Sequence, residues 1–190
     1  MSAIEIHPLT PERWPDFEQL FGPRGACAGC WCMFPKLTRK EFDAGKYEGN
    51  RKAQKKIVES GQVPGLLAYV DGIPAGWCAV EPRANFPSLA RSRVLAPLDD
   101  LPVWSVTCFF VDRKFRRQGL SVRLLKAAVE YVASRGGKVV EGYPTEPRGG
   151  KPAAPAFVFT GLAAAFLGAG FVEAGRRSET RPIMRCFVGK

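Results

Sequence analysis

Apolar positions along the chain switch between two periods, and the switches mark out its elements. Ile4, Ile6 and Leu9 alternate as in a short strand; Pro11 then stands where helices begin, and Trp14, Phe17, Leu20 and Phe21 carry a helix that Gly22-Pro23 ends. Thr38-x-x-Glu41, with Leu37 and Phe42 as a hydrophobic staple, is a capping box, so another helix starts there. Gly45 and Gly49 interrupt it. Residues 50–60 resume the helical period, with Lys52, Lys55 and Lys56 on a wet side and Ile57 and Val58 inward. Leu66 to Val70, Asp71-Gly72, then Ala75 to Val80 predict a hairpin whose two turn residues need positive φ. Residues 83–103, rich in Pro, Arg and Ala, read as a long loop.

The clearest stretch runs from Val106 to Ser121. Val106 to Val111 is apolar or β-branched almost throughout, as in a strand buried on both faces. From Leu120 the period changes, and Leu124, Leu125, Ala128, Tyr131 and Val132 fall on one helical stripe that Gly136-Gly137 stops. Arg116-Arg117-Gln118-Gly119 lies between the two. A helix N-terminus leaves unpaired N–H groups and a partial positive charge, the arginines add fixed charge, and Gly119 lets the backbone approach closely. The element reads as a cradle for a phosphate or pyrophosphate. Beyond it, Lys138 to Tyr143 is a short buried strand, 144–155 a Pro- and Gly-bearing loop, and Phe157 to Leu167 a short helix closed by Gly168 and Gly170. Phe171 to Gly175 and Ile183 to Val188 are the last strands, joined by the polar turn Arg176 to Arg181. No repeat and no linker divides residues 1–190, so one domain is expected.

The string Arg116-x-x-Gly119-x-Ser121, after an apolar strand and opening an amphipathic helix, resembles the acetyl-CoA pyrophosphate loop of the GNAT superfamily of N-acetyltransferases, whose signature is Arg/Gln-x-x-Gly-x-Gly/Ala. Arg116 and Gly119 match, and Ser121 stands in for the final small residue. The resemblance covers roughly residues 60–190. It implies an α+β fold, a mixed central sheet flanked by helices, with residues 1–60 as a helical acceptor-side part and 61–190 as the sheet and acetyl-CoA part. It also implies that the central strand and the Lys138–Tyr143 strand splay at their C-terminal ends to take the pantetheine arm. By that resemblance the main chain of Phe109, Phe110 and Val111 meets the arm, while Arg116, Arg117, Gln118, Gly119, Leu120 and Ser121 hold the pyrophosphate.

The rest of the site follows from what an acetyl transfer to an amine needs. A protonated amine cannot attack, so a base must take its proton, and Glu81, ending the strand beside the central one, is the candidate. The leaving thiolate needs a proton donor. Many GNAT enzymes place a tyrosine for this in the helix after the fifth strand, but Phe157 to Leu167 holds none, which leaves Thr160, Tyr143 or water. Cys108, with no histidine nearby in sequence, is a poor covalent nucleophile. In GNAT proteins the segment between the first two helices commonly walls the acceptor pocket, which implies a wall of Trp31, Met33 and Phe34; Trp104, opening the central strand, is counted with them. A loop tucked into the core is the competing account of those apolar residues.

Composition changes this picture only in part. A net charge of +10 suits an anionic ligand such as acetyl-CoA as well as an inert basic surface. The lysine run at 52–56 has no interleaved aromatics to stack bases, and no nucleic-acid motif is present, so no nucleic-acid partner is expected. Cys27, Cys30 and Cys32 offer only three ligands, and the sole histidine is His7, so no metal is expected either. No apolar run approaches the roughly 20 residues that span a bilayer, and Met1 to Thr10 lacks a signal pattern, so the expectation is a cytoplasmic protein away from membranes. The expected function is acetyl-CoA-dependent acetylation of an amine on a small molecule or protein by direct attack. A non-catalytic acyl-CoA sensor module is the alternative, and a homodimer is left open.

Overall fold

The computed structural model describes residues 3–147 and 158–189. Among them a seven-stranded sheet runs in the order β1-β2-β3-β4-β5-β7-β6. The strands are β1 (Ile4–Pro8), β2 (Gly65–Val70), β3 (Ile73–Pro82), β4 (Trp104–Val111), β5 (Val139–Gly142), β6 (Val172–Arg176) and β7 (Pro182–Phe187). Only β4 and β5 pair in parallel; the other neighbours are antiparallel. The helices are α1 (Trp14–Phe21), α2 (Arg39–Ala44), α3 (Glu48–Glu59), α4 (Pro87–Ala90), α5 (Leu120–Ser134) and α6 (Ala163–Gly168). This is the mixed α+β architecture expected from the chain.

Alternation along the strands sends side chains to two apolar layers. Leu66, Ala68, Cys78, Val80, Val106 and Phe109 face α5, whose Leu120, Leu124, Leu125, Ala128 and Val132 are buried against them. Leu67, Tyr69, Trp77, Ala79 and Cys108 face the other way, onto Trp14, Phe17, Leu20 and Phe21 of α1 and onto Trp31 and Cys32. The β2–β3 turn is built as the Asp-Gly pair requires, with Asp71 at φ 49° and Gly72 at φ 77°. The capping box also forms: Thr38 N–H donates to Glu41 Oε2 at 2.8 Å, and Glu41 N–H to Thr38 Oγ1 at 3.3 Å.

Two stretches differ from expectation, and the expected loop between α1 and α2 has an unusual backbone. Residues 83–103 are not all loop, since Arg83–Asn85 turns as a 3-10 helix and Pro87–Ala90 makes α4, Pro87 presetting its first turn. The last helix begins at Ala163; before it the chain makes a turn, with Gly161 N–H donating to the Val158 carbonyl at 2.9 Å, and Leu162 forms a single bridge to Thr145. The start expected at Phe157, and residues 148–155 of the expected loop, lie outside the described residues. The segment between α1 and α2 follows an irregular path with positive φ at Ala26, Ala28, Trp31 and Cys32, a costly conformation for residues with a Cβ that packing must hold in place.

Candidate active site

The parallel pair β4–β5 is short. Trp104 pairs with Val140, Ser105 with Glu141 and Val106 with Gly142, and there the ladder stops. β4 continues to Val111 with only β3 beside it, so the two strands fork after Val106 and Gly142. A bulge sits at the fork: the β3–β4 register shifts between Ala79 and Val80, which leaves Thr107 as the extra residue. Thr107 is buried, and its Oγ1 has no hydrogen-bond partner among the described residues. The mouth of the fork holds the segment that precedes α6. Phe109 N–H donates to the Phe159 carbonyl at 2.6 Å, and Thr145 N–H, past the end of β5, donates to the Gly161 carbonyl at 2.9 Å. Thr160, 5% exposed, has its hydroxyl 3.3 Å from that of Thr145.

At the far end of β4, Asp112 Oδ1 accepts from Lys114 N–H at 2.8 Å and starts a tight turn toward α5. Arg116 Nε donates back to the Val111 carbonyl at 3.0 Å, tying the turn to the strand end. Arg117 (φ 62°) and Gly119 (φ 75°) are left-handed. Gly119 is the N-cap of α5 and offers no side chain, so the first-turn N–H groups of the helix stay open to an incoming acceptor. A Cβ on Gly119 would meet nothing within 4 Å, so the surface above this turn is clear. Arg116, Arg117, Gln118 and Gly119 are exposed, Ser121 is half-buried, and Leu120 is buried as the first residue of the helix stripe.

A row of polar residues crosses the opposite face of the sheet just below the fork. Register places Glu81 beside Ser105, Ser105 beside Glu141, and Glu141 beside Arg185, and all four are buried. Glu81 is ion-paired with Lys36, and its Oε2 accepts from Asn85 Nδ2 at 2.9 Å. The Glu81 and Lys36 side chains are 3% and 8% exposed and line a surface cavity of about 310 Å³ together with Met33, Leu37, Ile57 and Pro87 among others. Glu141 accepts from Arg83 Nη1 at 3.0 Å, from Arg185 Nε at 2.7 Å and from the Tyr143 hydroxyl at 2.6 Å. Arg83 also donates to the Tyr143 oxygen at 2.5 Å. The single Tyr143 proton goes to Glu141, so the Ser105 hydroxyl, 2.8 Å away, donates to Tyr143. Burial, and then the Glu141 charge, hold the Tyr143 phenol well above its ordinary pKa, so it is neutral.

Met33 lines the cavity beside Glu81. Trp31 is buried in the aromatic stack under that face, 5.7 Å from the Phe21 ring, while Phe34 is exposed and reaches Phe42 at 5.3 Å and Phe159 at 6.0 Å. Trp104 is placed apart from them. It pairs with Pro82, one residue past Glu81, and its indole packs edge-on to Tyr131 of α5 at 6.0 Å, on the other side of the sheet from the cavity. Alternation along β4 makes the difference. Cys32 Sγ accepts from Trp77 Nε1 at 3.2 Å and shares a hydrogen bond with Cys108. That bond, despite burial and with help from Trp77 and Lys36, holds the Cys32 thiol below its ordinary value. Burial pushes Cys30 up to about 11. No group of three or more His, Cys, Asp or Glu among the described residues is arranged to hold a metal ion.

Lys36, Asn85, Arg83, Glu141 and Arg185 did not stand out from sequence. Glu141 and Arg185 carry a signal all the same: each is one charge inside a short apolar strand, Val139-Val140-Glu141-Gly142 and Ile183-Met184-Arg185-Cys186. A charge there needs a buried partner, and each is the other's.

The fork between the two parallel strands, the basic turn at the end of one and the buried carboxylates just below it together make up the candidate site. The sequence model of the Acetyltransferase (GNAT) family matches residues 31–148, more than half of the chain, and the protein belongs to that family of acetyltransferases. Solved structures agree on the fold. An acetyltransferase of the GNAT family from Listeria monocytogenes is 13% identical with a TM-score of 0.59, covering 97% of this chain and 94% of its own. The PaiA N-acetyltransferase of Thermoplasma acidophilum, solved in complex with coenzyme A, is 13% identical with a TM-score of 0.53, over 97% and 99%. The ribosomal-protein-S5-alanine acetyltransferase of Vibrio fischeri is 10% identical with a TM-score of 0.57, over 100% and 98%. No curated protein sequence matches the chain. Among the described residues, no helix is long and apolar enough to cross a membrane.

Proposed function

We propose that the protein transfers an acetyl group from acetyl-CoA to the amine of a small molecule or a protein by direct attack, with Glu81 at the base of the β4–β5 fork as general base. The observation that carries this is the position of Glu81. It lies opposite Ser105, one residue before the last paired position of the fork, and lines a surface cavity in which Lys36 is paired with it. The residues also fit the donor. The edge of β4 that faces the fork can offer the main chain of Phe109, Phe110 and Val111 to an amide-bearing arm once the Phe159 carbonyl and the Arg116 guanidinium release it, and the Thr107 hydroxyl, without a partner among the described residues, lies at the point of splay. The α5 N-terminus, beneath clear space at Gly119 and among exposed arginines, suits a pyrophosphate. Bound there, acetyl-CoA supplies an activated acetyl thioester.

Glu81 takes the proton that keeps an incoming ammonium from attacking, and Asn85 holds the carboxylate in place meanwhile. Phe109 N–H, once released by the Phe159 carbonyl, is the main-chain donor nearest the splay and can stabilise negative charge on the carbonyl oxygen. The departing thiolate takes a proton from Thr160, Tyr143 or water; of these, Tyr143 would first have to turn its proton from Glu141. The six cysteines are all free thiols, which supports the cytoplasm as the working compartment. Release of free thiol from acetyl-CoA, followed across a panel of primary amines, tests the proposal. Amine-dependent release above the hydrolysis background supports it, and release that no amine accelerates overturns it.

A further inference from the structure

The amine in the acceptor cavity of this structure is the protein's own. Lys36 enters from the loop before α2, and its ammonium is ion-paired with Glu81 and lies 5.4 Å from the centre of the Phe86 ring. The pair is nearly dry and closed on the far side by Asn85. Lys36 is therefore held on the candidate base, which lies beside the strand along which the thioester is proposed to lie. From Ser105, opposite Glu81, the fork opens two residues further on at Thr107, about 7 Å along a strand. A lysine side chain has four rotatable bonds with which to cover that span.

We propose that Lys36 is a self-acetylation site. This rests on the function proposed above, because it uses the same donor and the same base. Glu81 accepts one proton from the Lys36 ammonium. The freed Nζ forms a bond to the thioester carbonyl carbon, and the carbon–sulfur bond breaks. Coenzyme A leaves as a thiolate and takes the second proton the nitrogen must lose, so the products are Nε-acetyl-Lys36, free coenzyme A and a protonated Glu81 that returns its proton to solvent. Acetylation removes the cation paired with Glu81 among the described residues. The cavity is then left with an uncompensated carboxylate, which favours an external ammonium in the place Lys36 held.

The test incubates the whole protein with acetyl-CoA, then maps acetyl groups by mass spectrometry after trypsin, which does not cut at an acetylated lysine. Thermal shift with coenzyme A and amine-dependent thiol release are measured on the same preparation. The expected result is near-complete acetylation of Lys36, slowed by excess coenzyme A, with exposed Lys52 and Lys55 modified far less. Lys36→Arg keeps a cation for Glu81 and should carry one acetyl group fewer per chain. The proposal is overturned if the protein binds coenzyme A and turns over an amine while Lys36 stays unmodified, or is modified no faster than it is in urea-unfolded protein. Absence of both the thermal shift and thiol release would instead bring down the function itself, and self-acetylation with it.

Discussion

Glu81 and Lys36 are the residues on which chemistry and stability meet. Replacing Glu81 by Gln removes the proposed base and should lower the amine-dependent rate on the order of a hundredfold or more, the usual worth of a positioned proton acceptor. It also strands a buried ammonium. Breaking one side of a dry ion pair costs roughly 3–5 kcal/mol, whereas removing both charges costs much less. Urea denaturation should therefore show Glu81→Gln strongly destabilised and Glu81→Gln/Lys36→Met restored most of the way; equal losses in the two variants would mean the pair is not held as described. Tyr143 yields a pH prediction. Its folded-state pKa is raised above the unfolded value, by burial first and the Glu141 charge next. The folded protein thus keeps a proton that the unfolded chain releases above about pH 10. Stability from this group is intact below that pH and falls as pH rises further. Unfolding midpoints measured from about pH 8 to about 12 should decline more gently in Tyr143→Phe than in the wild type.

Elements whose signals are local were legible in the sequence. The Asp71-Gly72 hairpin, the Thr38 capping box and the strand–turn–helix from Val106 to Leu125 depend on neighbours a few residues away, and the structure forms each. Elements held by distant contacts were not. The path of residues 24–37 rests on positive φ at Ala26, Ala28, Trp31 and Cys32, which no local preference supplies. The row Glu81–Ser105–Glu141–Arg185 exists only once the register of four strands is known, and Trp104 misleads because adjacent residues of a strand face opposite ways. The turn before α5 carries its own prediction. Gly119→Asp puts a carboxylate at the helix N-cap where an anion is proposed to sit, with clear space around it and a left-handed backbone that aspartate tolerates better than most residues. Calorimetric titration should show coenzyme A affinity largely lost and circular dichroism near wild type. Arg116→Ala should cost on the order of 1 kcal/mol of binding, as an exposed ionic contact does. Unchanged affinity in folded Gly119→Asp would remove the turn from the binding site.

Across the whole molecule, the sheet divides labour between its faces. One face is an apolar bed for α5, and α5 in turn presents its N-terminus beside the end of β4. The other carries α1, the cysteine-bearing loop and the polar row, so the proposed acceptor approaches from the side opposite the helix that would anchor the donor's phosphates. The fork in β4–β5 is where the two sides communicate, and in this structure the Phe159 carbonyl closes it on Phe109. Donor binding must therefore change the surroundings of main-chain amides at two separated places at once. Amide-resolved NMR of the isotopically labelled protein, titrated with acetyl-CoA, tests this directly. The account predicts shifts concentrated at Phe109, Phe110 and Val111 in the fork and at Gln118, Gly119, Leu120 and Ser121 in the turn. No shifts at millimolar acetyl-CoA, or shifts confined to other parts of the chain, would contradict it.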